Sequence, residues 1–249
     1  MAILLDKPQE VSQEHFLLKI AMKGANFAPG QFINIKTTEG TDPLLRRPFS
    51  IFDAEGDIAH IIVRVVGRGT SLISKMEKGE INVLGPLGKG FTLEKNKNLL
   101  LLGGGVGNAP LYFLARELKN RGNKITYIYA AKTKNYIFYE DLYRELADEF
   151  LLFTDDGSVG TKGVPTEVGR EVISNNGFDR LYCCGPDPMM EKVVSIANTS
   201  VSVEVSMENY FGCGVGLCMG CTVDTIHGFK RACMDGPVFN GREVIWSKE

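Results

Sequence analysis

The chain has 249 residues, of which 44% are apolar and 23% charged, and its net charge is -2. That balance supports more than one folded core and leaves no basic stripe, which argues against nucleic acid or an anionic membrane surface as a main partner. No apolar run approaches the length that spans a bilayer, and Met1–Leu5 lacks the basic flank of a targeting segment, so a cytoplasmic protein is expected.

The first hundred residues alternate short apolar runs (Phe16–Ile20, Gln31–Thr37, Ile58–Val66, Ile81–Leu84) with Gly, Pro and Asp punctuation, the pattern of a small antiparallel barrel. Arg46-Arg47-Pro48-Phe49-Ser50-Ile51 reads as a strand start carrying two guanidinium groups, a fixed φ and a ring. Arg64 to Ser71 runs from a strand through glycines into a short helix, Ser71–Met76, that Thr70 or Ser71 can cap, a suitable place for a pyrophosphate. Leu84 to Phe91 reads as a rigid turn. Taken singly, each piece is equally well an ordinary strand end or turn.

Lys95–Asn98 is a polar break, after which strands and helices alternate. Asn98–Leu102 is a buried-type strand leading into Gly103, Gly104, Gly105 and Gly107 and an amphipathic helix through Glu117. Glycines before a helix start let backbone approach a dinucleotide pyrophosphate, although the spacing is not the strict Rossmann fingerprint. Leu181–Met190 reads as strand, turn and helix, with Asp187 as N-cap and Pro188 first in the helix. The loop Phe153–Ser158 with Gly160 follows a strand near the same edge. Lys132 and Lys134 are candidates for a ribose phosphate or plain surface lysines.

Near the C-terminus stand Cys213, Cys218, Cys221 and, after eleven intervening residues, Cys233. Cys-x4-Cys-x2-Cys…Cys is the spacing of a plant-type 2Fe-2S cluster, and Gly212, Gly214, Gly216 and Gly220 permit amides to turn toward the sulfurs. A four-thiolate zinc site is the alternative. Cys183 and Cys184 leave nothing for a disulfide framework. Tyr210, Phe211, Met219 and Trp246 are interface anchors or a small core.

Together these motifs resemble the ferredoxin-NADP reductase superfamily, and the order of the three modules is similar to the electron-transfer subunits of NAD-dependent (type B) dihydroorotate dehydrogenase. The resemblance includes Met207-Glu208-Asn209 and Asp235–Phe239. It implies a multidomain α and β protein: an antiparallel β-barrel FAD domain over 1–95, an α/β parallel-sheet NAD domain over 96–200 and a small 2Fe-2S domain over 201–249. Arg47, Pro48, Phe49, Ser50, Ile62, Val63, Arg64, Gly69 and Thr70 would contact FAD, with Arg47 on the pyrophosphate and Ser50 near flavin N5. Cys184 would lie by the nicotinamide. The implied relay runs from an FMN-containing catalytic subunit, in a heterotetramer, through the cluster and FAD to NAD+ in pyrimidine biosynthesis. His15, His60 and His227 are scattered and form no acid-base constellation, so the organic substrate is expected to react on the partner. A subunit of a sulfide dehydrogenase, hydrogenase or ferredoxin-linked complex is the alternative partner reading, and a flavin-binding redox sensor without turnover the alternative class.

Overall fold

The computed structural model describes residues 2–175 and 177–246, so Met1 and residues 247–249 of the expected terminal segments lie outside it. The first module comprises β1 (Ala2–Leu4), β2 (Gln9–Ser12), β3 (His15–Met22), β4 (Phe32–Ile35), β5 (Arg47–Glu55), β6 (Ile58–Arg64), α1 (Arg68–Ile73), β7 (Gly79–Ile81) and β8 (Val83–Leu87). Its strands follow the order β7-β1-β3-β6-β5-β4-β8, with β2 beside β3. The two ends of that path, β7 and β8, are separated in the chain only by Asn82, so the backbone itself closes the sheet into the expected barrel.

Strand alternation then sorts the side chains. Leu18, Ile20 and Met22 of β3, Ile33 and Ile35 of β4, and Ile61 and Val63 of β6 fill the barrel, while Leu17, Phe52 and Ile62 face out and pack on the second module. Phe52 stacks on Tyr112 with centroids 4.6 Å apart. Two local expectations are corrected. Leu84–Leu87 is not a turn but part of β8, which is needed to pair with β4 in the register Phe32↔Leu87 and Asn34↔Leu84. The helix starts at Arg68, so Thr70 lies inside its first turn and is not its cap. Thr70 Oγ1 accepts from the N–H of Val66 at 2.9 Å and of Gly67 at 3.2 Å, fixing the turn from within.

The second module adds β9 (Asn98–Gly104), α2 (Asn108–Lys119), β10 (Lys124–Ala131), α3 (Glu140–Leu146), β11 (Glu149–Thr154), β12 (Thr161–Lys162), α4 (Pro165–Val168), α5 (Arg170–Ile173), β13 (Arg180–Cys184), α6 (Asp187–Ile196) and β14 (Ser202–Ser206). Beyond these come β15 (Thr222–Val223), β16 (Lys230–Arg231) and β17 (Val238–Asn240). The large sheet runs β12-β11-β10-β9-β13-β14-β17, with only β17 antiparallel. Leu99 and Leu101 pack toward Leu111, Leu114 and Leu118 of α2, whereas Leu100 and Leu102 pack toward Met190 and Val193 of α6. Both faces are covered, which is why β9 reads as an unbroken leucine run. The start of α6 is one residue earlier than expected: Pro186 is the N-cap, without a side-chain cap bond, and Asp187 is already helical.

The sheet does not stop at residue 200. β14 and β17 both come from the stretch expected to be the cluster domain, and Phe211, Cys221, Val223 and Cys233 share a core with Val203 and Val205. The join is reinforced by Arg242, whose guanidinium donates to the carbonyls of Val194 (3.4 Å), Ala197 (3.3 Å), Asn198 (2.7 Å) and Val201 (3.3 Å) at the end of α6. A cation suits those last carbonyls. Arg242→Met is therefore expected to cost about 2–3 kcal/mol, read as a fall in Tm of about 5–10 °C by calorimetry.

Candidate functional site

The register of the parallel sheet places Gly103 beside Cys184 and Cys184 beside Ser206 at its carboxyl edge. Three turns leave that edge together, the place where open α/β sheets bind ligands. The first is Gly103–Gly107, where Gly105 has φ +57° and a Cβ on Gly107 would come 2.4 Å from the carbonyl oxygen of Cys184. Only glycine lets the two turns meet. Asn108 holds this loop to the sheet: fully buried, it donates to the carbonyls of Gly105 (2.9 Å) and Ala130 (3.2 Å) and accepts from the Tyr127 hydroxyl (3.2 Å). This role is not legible in the sequence, because Ala130 and Tyr127 lie about twenty residues from Asn108 in the chain.

A cleft of about 580 Å³ opens over these turns, of a size that holds a small ligand. Gly104, Gly105 and Gly107 line it, as do Lys132, Asp155, Gly185 and Pro186. Gly103 does not; a Cβ there would meet Asn108 Oδ1 at 2.1 Å, so its role is to admit that side chain. Cys184 is buried one residue behind the wall, at 2% exposure, and burial pushes its thiol well above the ordinary range, so it stays protonated at neutral pH. Of the two candidate lysines, only Lys132 lines this cleft.

In chain order that cleft is the second of two cavities; the first, of about 330 Å³, lies on the outer face of β5 and β6. Of the residues that the resemblance assigns to FAD, Arg47, Pro48, Phe49, Ser50, Ile62, Arg64 and Thr70 line it. Val63 does not: strand parity turns it into the barrel core, where it is fully buried. Gly69 lies directly under Arg47, since a Cβ at 69 would stand 2.7 Å from Arg47 Nε. Arg46 serves the barrel instead, donating to the carbonyl and side-chain oxygens of Asn82 at its closure. The far wall was not legible in the motif: Met207, Glu208, Asn209 and Phe211 arrive from the end of β14, and Val106, Ala109 and Pro110 from the glycine turn.

The two cavities share Arg64, Val106 and Glu208. Desolvation, and then the charge of Asp187, raise the Glu208 carboxyl pKa, while Arg64 opposes them. None of the three histidines lines either cavity.

Six amides point at the cysteine sulfurs of the C-terminal loop. Val215, Leu217 and Cys218 donate to Cys213 Sγ at 3.4, 3.3 and 3.4 Å. Gly216 donates to Cys233 Sγ at 3.1 Å, Gly220 to Cys218 Sγ at 3.4 Å, and Cys233 to Cys221 Sγ at 3.5 Å. Cys221 and Cys233 are buried with their sulfurs 3.2 Å apart, while Cys218 is exposed. These amides, led by that of Val215, lower the Cys213 thiol to about 6, whereas burial pushes Cys233 up to about 12. Thiolates ringed by N–H donors are the donor set an iron-sulfur cluster needs. Of the four glycines expected to turn inward, only Gly214 and Gly216 have positive φ; Met219, at +58°, takes the third such position. Gly220 turns its amide to Cys218 Sγ without a positive φ, and Gly212 gives room, since a Cβ there would come 3.0 Å from Cys218 Sγ.

Removing the Asn108 side chain leaves the buried Tyr127 hydroxyl unpaired and frees the glycine loop. Asn108→Ala is expected to lose about 2–4 kcal/mol in denaturant unfolding and to weaken NADH binding about tenfold by titration calorimetry.

Residues 208–245 match the family model described as the iron-sulfur cluster binding domain of dihydroorotate dehydrogenase B, and residues 101–195 match the oxidoreductase NAD-binding domain. The dihydroorotate dehydrogenase B (NAD(+)) electron transfer subunit of Fusobacterium nucleatum subsp. nucleatum is 38% identical over 250 residues, covering 94% of each chain. Its counterpart from Geobacillus sp. is 41% identical, covering 88% of this chain and 87% of that one. A chain in the structure of an NADH-dependent reduced ferredoxin-NADP oxidoreductase superposes with a TM-score of 0.87 at 35% identity, over 98% of this chain and 90% of that one. A ferredoxin NADP+ reductase from Neisseria gonorrhoeae, at 19% identity and TM-score 0.67 over 83% of this chain and 98% of that one, shares the fold. With near-complete coverage at about 40% identity, this chain belongs to the family of dihydroorotate dehydrogenase B (NAD+) electron transfer subunits.

Proposed function

We propose that the chain carries electrons between an FMN-containing dihydroorotate dehydrogenase catalytic subunit and NAD+, in a cytoplasmic heterotetramer serving pyrimidine synthesis. The observation that carries this reading is the continuity of the three sites: two cavities meet at Arg64, Val106 and Glu208, and the wall of the first is the segment that leads into the cysteine loop. Bound FAD and a 2Fe-2S cluster supply the exchange between one-electron and two-electron transfer that a hydride-accepting nicotinamide requires.

The chain's own residues then have separable tasks. Cys213, Cys218, Cys221 and Cys233 hold the cluster. Arg47 offers its fork to the flavin pyrophosphate, and Pro48, Phe49, Ser50 and Ile62 give the ring an apolar wall with one hydroxyl. Val63, inside the barrel, has no such part. Gly104, Gly105 and Gly107 admit the NAD pyrophosphate to the turn that opens α2, where glycines let the backbone approach it closely. Cys184, protonated and buried, shapes the floor under the nicotinamide and exchanges no proton. Arg64 and Glu208 set the charge where the rings meet. Hydride transfer needs positioning and no general base, which agrees with cavities free of histidine. We divide the chain at about 95 and 200 by task, while its second sheet spans the later boundary.

The organic substrate reacts elsewhere, on a partner. Beside the exposed Cys218 stand Leu217 at 83% exposure and Met219, and Tyr210, at 91%, lies against Gly220, an apolar surface suited to a second polypeptide. Phe211 and Trp246, by contrast, belong to the core. No helix among the described residues is long and apolar enough to cross a membrane. The curated relatives' names favour this partner over a sulfide dehydrogenase, a hydrogenase or a ferredoxin-linked complex.

Two experiments test this. Co-expressed with an FMN-containing dihydroorotate dehydrogenase subunit, the chain is expected to co-purify with it and support dihydroorotate-dependent NADH formation that Cys218→Ala abolishes; orotate formation by this chain alone would overturn the division of labour. Gly69→Ala, which drives a methyl into Arg47, is expected to weaken FAD retention at least about tenfold while the circular dichroism spectrum stays unchanged.

A further inference from the structure

Gly216 and Leu217 share one peptide unit of the cysteine loop. Its N–H, from Leu217, donates to Cys213 Sγ at 3.3 Å, and its carbonyl, from Gly216, accepts from Arg231 Nη1 at 3.1 Å. A trans peptide holds N–H and C=O in one plane and on opposite sides, so a group that fixes the oxygen also aims the N–H. Arg231 is itself held on two sides. Its Nε donates to Asp235 Oδ2 at 3.2 Å, its backbone N–H donates to the same oxygen at 2.9 Å, and its position in β16 pairs it with Thr222, next to Cys221. The carbonyl of Arg231 accepts from Met234, Asp235 and Gly236, closing the turn that carries Cys233.

The approach also depends on Gly216. With φ +79° it places its own N–H on Cys233 Sγ at 3.1 Å, and a Cβ there would come 2.5 Å from Met234 Cγ and 3.2 Å from Arg231 Nη1. One residue thus feeds an amide to each of two sulfurs, Cys233 directly and Cys213 through the next peptide, and one guanidinium orients the second from outside.

We propose that Arg231 is a positioning residue for the metal centre: by clamping the Gly216 carbonyl it aims and polarises the Leu217 amide at Cys213, and so favours the reduced cluster. A charged donor on a carbonyl strengthens the hydrogen bond that the same peptide donates, and N–H donors on ligand sulfurs stabilise the added electron. This rests on the iron-sulfur reading of the four cysteines.

The test is a redox titration of the purified full chain, followed by the electron paramagnetic resonance signal of the reduced cluster, on Arg231→Met, Arg231→Lys and the unaltered protein, each with iron and sulfide measured. For Arg231→Met the ratio of reduced to oxidised cluster at a fixed potential is expected to fall about tenfold, about 59 mV for a one-electron couple. Arg231→Lys keeps the charge but not the fork, and a fall of about threefold is expected. A purely structural role would lower iron content or Tm and leave the ratio in the loaded fraction unchanged. Full iron with the unaltered ratio in both variants overturns the proposal; if Arg231→Met does not retain iron, an unaltered ratio in Arg231→Lys overturns it alone. Absence of iron and sulfide from the unaltered protein fails the cluster reading itself, a separate result.

Discussion

The register that sets Gly103, Cys184 and Ser206 side by side is the constraint on which the site depends. Parallel strands must all end at the same edge, so the glycine turn, the Cys184–Pro186 turn and the Met207–Phe211 segment leave the sheet within reach of one another. The first two turns touch because neither has a side chain at Gly107 or Gly185. The third crosses the outer face of the barrel and becomes the wall of the first cavity. Had β14 been placed beyond another strand, that segment would reach neither Arg64 nor Phe32.

Holding this edge together falls to buried polar groups, each largely satisfied by partners distant in sequence. Asn108 bonds both the loop and β10, and Tyr143 adds a hydroxyl to the Asn108 carbonyl at 3.0 Å. Such a network costs little when every member is paired and much when one is lost. On the barrel side, Asn34 is fully buried with its amide group unpaired, against the cysteine loop at Gly214. The strand that carries it also carries Phe32, whose ring meets Phe211 at 4.8 Å. The Lys89 amide also donates to the Gly236 carbonyl at 2.6 Å, so a ring contact, a glycine contact and a backbone bond join the barrel to the cysteine-bearing segment.

What was legible in the sequence follows from how the chemistry is encoded. Cysteine spacing, the Arg47–Ser50 strand and the glycine run are local patterns of scarce residue types, and these the structure brings to cavities or to one loop. Glu208 and Asn108 were not legible because a carboxylate or an amide acquires its role only from neighbours contributed by other strands. Val63 was assigned with Ile62 and Arg64 as a block, although strand parity must send the middle residue to the opposite face. The helix at Arg68 began early because Thr70 bonds backward to Val66 and Gly67, an arrangement as available to threonine as the cap itself. The sheet's extension past residue 200 is not legible because the nearby cysteines dominate the local pattern, while the pairing of Ser202–Ser206 is set by β13, a strand from earlier in the chain.

The cysteine loop has a wet side and a dry side, and the difference bears on direction. Cys221 and Cys233 are buried in the core that includes Phe211, whose ring lines the first cavity, while Cys218 stands exposed among Tyr210, Leu217 and Met219. An iron-sulfur centre open to water on one side is vulnerable there, and several apolar side chains left in water around it cost free energy that a docked surface recovers. Both considerations agree with the proposal that the partner docks on the Cys218 side. The dry side is already committed: Phe211, one glycine from Cys213, packs on Phe32 of the barrel. Under that proposal entry and exit use different ligands of one loop, so the outer surface can change to suit a partner while the packing toward the first cavity stays fixed.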